Sequence, residues 1–274
     1  MTGPNVEAAW LAERLADVKV VDASWYLPQM GRDAEAEYRE AHIPGAVRFD
    51  IDRIADGSSG LPHTLADPET FAREVGALGL SADDTIVVYD GMGLFSAPRV
   101  RWNFRIMGAE RTHLLDGGFP AWVAAGLPTE SGIAKPEPSS FVPRFDPSAV
   151  RSLRDVLDAL GREQLVDARP TDRFTGASPE PREGMRSGHM PGAKSLPFTD
   201  LQRDGRMLGD DELRAVLERA GVDPSRPVIA TCGSGVTAAT IALAVERLGG
   251  EAAIYDGSWS EWGGRRDTPV VEGP

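Results

Sequence analysis

Pro227-Val228-Ile229-Ala230-Thr231-Cys232-Gly233-Ser234-Gly235-Val236-Thr237-Ala238 is the stretch that decides the fold. Its first five residues are apolar and β-prone, and the run from Thr237 to Val245 is helical in character. A buried strand that turns directly into a helix is the building unit of an α/β sheet. The chain's single cysteine, Cys232, sits at that turn. Gly233 and Gly235 let the backbone curl so that successive N–H groups can point at one centre. The helix N-terminus adds a partial positive charge. Both effects favour thiolate over thiol, and in such settings a cysteine near pKa ~8.5 falls to roughly 3.5–7.5. A lone cysteine is often just a small buried hydrophobe. Its position after a strand, in a Gly-rich loop and at a helix start, marks Cys232 as a candidate nucleophile.

Outward from this loop, the chain repeats itself. Val20-Val21-Asp22-Ala23 followed by Ala41-His42-Ile43-Pro44-Gly45-Ala46 matches Leu165-Val166-Asp167-Ala168 followed by Gly188-His189-Met190-Pro191-Gly192-Ala193. Leu115-Asp116-Gly117-Gly118-Phe119-Pro120-Ala121-Trp122 matches Tyr255-Asp256-Gly257-Ser258-Trp259-Ser260-Glu261-Trp262. The separation is 145 residues between Asp22 and Asp167, and 140 between Trp122 and Trp262. A nearly constant separation across the chain means two copies of one domain. The expected division is residues 1–130, a Pro/Ser-rich linker over 131–147, and residues 148–274.

Each copy alternates β-rich runs with amphipathic helical runs. The pattern predicts strands over 18–22, 85–89, 113–115, 164–167, 228–231 and 253–255. It predicts helices over 68–78, 97–107, 120–125, 153–160, 211–220 and 237–248, with Ser152 and Asp210 as N-caps and Gly161 and Gly221 closing helices. The fold class is therefore α/β: two domains, each a parallel sheet with helices on both faces. Ligands of such sheets bind at the carboxyl ends of the strands, where Cys232 lies.

The repeat acts as an internal control. Val87-Val88-Tyr89-Asp90-Gly91-Met92-Gly93 aligns with Ile229-Ala230-Thr231-Cys232-Gly233-Ser234-Gly235, so Asp90 stands in place of the cysteine. Residues common to both copies, such as Asp22, Asp167, His42 and His189, are expected to be structural. Trp122 and Trp262 match in the same way and, with Trp102 and Trp259, are expected to pack helices. The run Leu94-Phe95-Ser96-Ala97-Pro98-Arg99 is assigned to a domain interface.

Composition sets further bounds. A net charge of −13 argues against nucleic acid or an anionic membrane as partner, and it requires local arginines if the substrate is an anion. No apolar run is long enough to span a bilayer. The start, Met1-Thr2-Gly3-Pro4-Asn5-Val6-Glu7, lacks a basic region followed by an apolar one, and one cysteine forbids an internal disulfide. A cytoplasmic protein is expected. The four histidines do not cluster, so neither metal nor cofactor is expected.

Tandem halves, the repeated His-x-Pro-Gly-Ala turn and one C-terminal loop cysteine resemble the rhodanese-type sulfurtransferases. The loop Cys232-Gly233-Ser234-Gly235-Val236-Thr237-Ala238 is most similar to the branch of that family that uses 3-mercaptopyruvate. Thiosulfate-preferring members carry basic residues after the cysteine, where this chain has Gly233 and Ser234. The resemblance covers nearly the whole chain. It implies that Arg173, in Asp172-Arg173-Phe174, and Arg182, in Pro179-Glu180-Pro181-Arg182, bind the donor's carboxylate and carbonyl. Arginine's planar fork suits that task. It implies that backbone groups of Gly233, Gly235, Val236 and Thr237 line the substrate, while the Val236 and Thr237 side chains serve the turn and helix start. It also pairs Asp52 and His63 with Ser234. His63 lies in a Gly/Ser/Pro-rich loop with no helical stripe to bury it, so it is free to reach across to the cysteine loop, and Asp52 would orient its ring.

The implied reaction forms a persulfide on Cys232 and releases pyruvate. A nucleophilic acceptor, such as thioredoxin, a small thiol or cyanide, then removes the outer sulfur. Three alternatives stay open from the residues. Thiosulfate as donor would want cations in the loop. A cysteine phosphatase needs Cys-x5-Arg, and position 238 is alanine. A non-catalytic binding module fits the first copy, which lacks the nucleophile.

Overall fold

The computed structural model describes residues 3–274. They gather into two compact units. The first comprises the chain up to Asp56, then Leu65–Asp146 and Asp204–Met207. The second comprises Gly57–Thr64, Pro147–Arg203 and Leu208–Pro274.

Each unit is built on a five-stranded sheet, and all its strand pairs are parallel. Across the first sheet the strands run Asn5–Val6, Thr112–Leu115, Ile86–Tyr89, Lys19–Asp22 and Val47–Arg48. Across the second they run Val150–Arg151, Ala252–Tyr255, Val228–Thr231, Gln164–Asp167 and Lys194–Ser195. The order is the same in both, as the sequence repeat requires. The central strands are short apolar runs buried along their whole length, because helices cover both faces. The two-residue edge strands were not expected. Two residues carry no readable alternation.

Period-two alternation divides each strand between two layers. In the first unit Val20, Val87, Tyr89 and Leu115 face a layer closed by Leu11 and Trp122. In the second, Leu165, Ile229 and Tyr255 face Val156, Trp259 and Trp262. Trp122 and Trp262 are fully buried, and each donates its indole N–H to a backbone carbonyl 2.8 Å away, Pro128 and Pro269 respectively. That satisfies the one polar atom of each core tryptophan.

The expected helices form, with bounds shifted by one or two residues at most. Ser152 caps Leu153–Ala159 in a reciprocal capping box with Asp155. Asp210 is not a cap, however. Gly209 takes the extended capping conformation, and Asp210 begins the helix Asp210–Arg219, where its Oδ1 accepts from Arg247 Nε at 2.7 Å. Three carboxylates in that first turn complement the helix dipole instead.

The expected domain division differs from the observed units in three places, one of them Asp204–Met207, which belongs to the first unit. Gly57–Thr64 belongs with the second unit, although the first copy's sequence surrounds it. Residues 131–146 belong to the first unit. Phe141 is buried there and stacks edge-on against Phe71, with ring centres 5.4 Å apart. The backbone N–H groups of Ser139, Arg144 and Asp146 donate to the carbonyls of Gly76, Met107 and Ile106. Pro/Ser composition reports the lack of regular structure in this segment, not a lack of packing.

Candidate active site

Cys232 follows the strand Val228–Thr231 directly, and this strand pairs in register with Gln164–Asp167. Thr231 lies opposite Asp167, and the Ala168 N–H donates to the Thr231 carbonyl at 2.8 Å. The cysteine loop and the segment starting at Ala168 therefore leave the sheet side by side. Cys232 is buried, in no disulfide, and 2% exposed.

The loop is held from one side. Trp259 N–H donates to the Cys232 carbonyl at 2.9 Å. The N–H and hydroxyl of Ser260 donate to the Gly233 carbonyl at 2.8 and 2.7 Å. A trans peptide points its N–H opposite to its C=O. With both carbonyls tied to Trp259 and Ser260, the N–H groups of Gly233 and Ser234 face away from that clamp. Cys232 N–H itself donates to Ser258 Oγ at 3.3 Å, and that hydroxyl donates to the Tyr255 carbonyl at 2.8 Å. Gly235 adopts φ +80°, a conformation that favours glycine and curls the loop into the helix Ala238–Arg247. Thr237 stands at the N-cap of this helix without a side-chain capping bond, and Val236 is buried beneath it.

The first unit shows what such a loop holds. Asp90, in the cysteine's place, accepts four backbone N–H bonds: Met92 to Oδ1, and Phe95, Ser96 and Ala97 to Oδ2, all at 2.8–2.9 Å. The loop is an anion cradle, and its own carboxylate fills it. At the position aligned with Ala97, the Ala239 N–H donates instead to the Val236 carbonyl at 3.3 Å.

Arg173 lies on the short helix Thr171–Phe174. A Cβ placed on Gly233 would sit 3.4 Å from Nη2 of Arg173 and 3.7 Å from Nη1 of Arg182. The two guanidinium groups thus converge over the residue after the cysteine, within van der Waals reach of a Cβ there. Arg182 Nη1 also donates to Ser260 Oγ at 3.4 Å, so one serine touches both an arginine and the loop. Arg173 is clasped by the buried carboxylate of Glu180, through Nε to Oε1 at 3.2 Å and through Nη2 to Oε2. Glu180 in turn accepts from Arg169 Nη1 at 2.7 Å, and Arg169 forks onto Asp167. Burial works against the Arg169 charge, but Asp167 and Glu180 beside it outweigh that and hold its pKa above the usual value. Its guanidinium stacks 4.1 Å above the Trp259 ring.

Of the remaining expected site residues, His63 is 6% exposed and belongs to the second unit, with Nδ1 2.8 Å from Ser234 Oγ. Its backbone takes φ +61°, uncommon for a non-glycine residue. Asp52 lies in the first unit, where its Oδ2 accepts from Trp25 Nε1 at 2.9 Å. His189 is bonded to the Phe174 carbonyl at 2.9 Å and stacked on that ring, so it supports the turn that carries Arg173. His42 makes the matching contacts with Tyr38.

Sequence reading missed Arg169, Glu180, Ser258 and Ser260. Comparing the two copies holds the signal for three of them, since Gly118 stands in place of Ser258. Ser24 stands in place of Arg169, and Pro120, which has no N–H, stands in place of Ser260. Among the described residues, no group of three or more His, Cys, Asp or Glu is arranged to hold a metal. No helix among them is long and apolar enough to cross a membrane.

The model of the rhodanese-like domain matches the chain twice, over residues 7–125 and 152–265. A 3-mercaptopyruvate sulfurtransferase of Rattus norvegicus is 45% identical over 94% of this chain and 91% of that protein. A thiosulfate sulfurtransferase of Cricetulus griseus is 44% identical over the same shares. The crystal structure of SseA, a 3-mercaptopyruvate sulfotransferase from Escherichia coli, superposes with a TM-score of 0.87 at 41% identity. It covers 94% of this chain and 99% of that one.

Proposed function

The chain belongs to the rhodanese family, and from that premise we propose that it is a sulfurtransferase taking its sulfur from 3-mercaptopyruvate. The Cys232 thiolate attacks the thiol sulfur of the donor. A new S–S bond forms, the donor's C–S bond breaks, and its electron pair leaves on the enolate of pyruvate. The loop N–H groups stabilise the charge on sulfur, as they do for the Asp90 carboxylate in the first unit. Arg173 and Arg182 hold the donor's carboxylate and carbonyl, which aligns its sulfur with Cys232. Ser234, bonded to His63, delivers a proton to the enolate. The sulfur then passes from the persulfide to a nucleophilic acceptor, with thioredoxin, a small thiol or cyanide as the acceptors proposed.

One observation carries this reading: two guanidinium groups converge over Gly233, beside a buried cysteine at the end of a parallel strand. That is an anionic-donor site built around a nucleophile in a chain of net charge −13. Thiosulfate is the second reading, favoured by the similarity to the Cricetulus griseus protein. Against it, Gly233 and Ser234 supply no cation within the loop.

Steady-state assays with cyanide as acceptor test the choice. Pyruvate release from 3-mercaptopyruvate is expected to exceed sulfite release from thiosulfate in kcat/KM. The reverse order would move the assignment to thiosulfate.

A further inference from the structure

We infer that the first unit holds a pocket for the guanidinium group of a small ligand, in the place that the Arg169 side chain fills in the second unit. Arg169 is enclosed by partners that the fold repeats. Its Nη2 donates to Asp167 Oδ2 at 2.7 Å and to the Gly188 carbonyl at 2.9 Å. Its Nη1 donates to Glu180 Oε1 at 2.7 Å, and the guanidinium lies 4.1 Å from the centre of the Trp259 ring. The repeat puts Asp22, Ala41 and Phe119 where Asp167, Gly188 and Trp259 stand, but Ser24 where Arg169 stands. Glu37 takes the part of Glu180. It clasps Arg32, through Nε to Oε1 at 2.8 Å and Nη2 to Oε2 at 2.6 Å, as Glu180 clasps Arg173. The likeness extends to the loop. A Cβ on Gly91 would sit 3.2 Å from Arg32 Nη2, and one on Gly233 would sit 3.4 Å from Arg173 Nη2.

With serine in place of arginine, the space among these groups is open. Asp22, Ser24, Glu37, Ala41 and Phe119 line one cavity of about 200 Å³, wholly within the first unit. That volume is below the range of pockets for drug-sized ligands, so the ligand is small. The charged groups on its walls are Asp22, Glu37, Glu40 and Arg32, a balance that favours a cation. Arg48 does not replace Arg169. Its Nη1 stays 3.7 Å from Asp22 Oδ1 and donates to the Ser24 carbonyl at 2.9 Å, while its Nε pairs with Glu35. Burial pushes the Asp22 carboxyl above its ordinary range, as befits a carboxylate without a close cation. A carboxylate offers about four acceptor sites. Glu37 accepts twice from Arg32 and once from the Tyr26 hydroxyl, which leaves a site for the bond that Glu180 takes from Arg169. A planar fork of donors beside an aromatic face suits guanidinium rather than ammonium.

Calorimetric titration of the full chain tests this with methylguanidinium, methylammonium and methylurea. Methylammonium has the charge without the fork, and methylurea has the planar shape without the charge. Methylguanidinium is expected to bind once per chain, at least about tenfold more tightly than either. Ser24→Arg supplies the guanidinium from within and should weaken methylguanidinium binding at least about tenfold. Glu37→Gln removes one charged wall and should weaken it at least about fivefold. Equal binding of either control would reflect general attraction to a chain of net charge −13, or shape alone, and overturns the inference. So does the absence of saturable binding, or affinity that survives Ser24→Arg. That variant gives up the bond from the Gly91 N–H to Ser24 Oγ at 3.0 Å. Should it not fold, Glu37→Gln decides, at a half-buried position, because unchanged affinity there also overturns the inference.

Discussion

Nδ1 of His63 and Oγ of Ser234 lie 2.8 Å apart in the second unit, although 171 positions separate them in the chain. Both residues are buried, at 6% and 5% exposure. A histidine in a Gly/Ser/Pro loop has thus been placed on the Ser234 hydroxyl of the cysteine loop. In the proposed reaction this pair handles the proton that the departing enolate needs. Ser234→Ala should then slow pyruvate release from 3-mercaptopyruvate by roughly 10²-fold, the lower range for general acid–base catalysis. Sulfite needs no proton to leave, so transfer from thiosulfate should change by less than about threefold under the same reading. Equal losses with both donors would place Ser234 in loop geometry rather than in proton transfer.

Arg182 donates to Ser260 and, like Arg173, approaches Gly233. Arg182→Lys keeps the charge and removes the planar fork. Charged hydrogen bonds contribute about 1.5–3 kcal/mol, so kcat/KM for 3-mercaptopyruvate should fall by roughly 10- to 150-fold. Most of the loss is expected in KM, read from pyruvate release at varied donor concentration. An unchanged KM would remove Arg182 from the donor's carboxylate.

Ser258 is fully buried at φ +47° and links the Cys232 N–H to the Tyr255 carbonyl. Ser258→Ala leaves that N–H buried without its acceptor, which should cost about 1–3 kcal/mol in urea unfolding. The loop would also lose one of its tethers, so kcat should drop while the far-ultraviolet spectrum stays the same. A variant as stable as the parent would mean that the N–H finds another acceptor.

Asp90 answers a different question, because it occupies a cradle rather than working in one. Its carboxylate satisfies four N–H groups, and Asp90→Ala leaves them bare. A buried donor left without its acceptor costs about 1–3 kcal/mol, and several are stripped at once, so the unfolding midpoint in urea should fall sharply. A loss below about 1 kcal/mol would show that the loop holds its shape without an internal anion.

The two sheets were legible because their central strands, such as Val228–Thr231 and Ile86–Tyr89, are continuous apolar runs and because the chain states its pattern twice. Cys232 could be selected for the same reason, because the first copy has Asp90 in its place, while Arg173 and Arg182 were named by the family resemblance. The edge strands were not legible, since pairs such as Lys194–Ser195 become strands only through their neighbour in the sheet. Glu180 escaped for a related reason. Nothing local distinguishes a carboxylate in Pro179-Glu180-Pro181 from a solvated one, and its role comes from Arg169 and Arg173, eleven and seven positions away and brought together by the fold. Segment 131–146 misled because proline and serine exclude regular hydrogen bonding but do not prevent Phe141 from reaching the core.

The central claim is that Cys232 carries the sulfur. Intact mass of the reduced protein, recorded after incubation with 3-mercaptopyruvate and no acceptor, tests it most directly. The account predicts a gain of one sulfur atom per chain, matched by one pyruvate, localised to the peptide with Cys232, removed by cyanide, and absent in Cys232→Ser. Pyruvate without added mass, or an equal gain in Cys232→Ser, would contradict it.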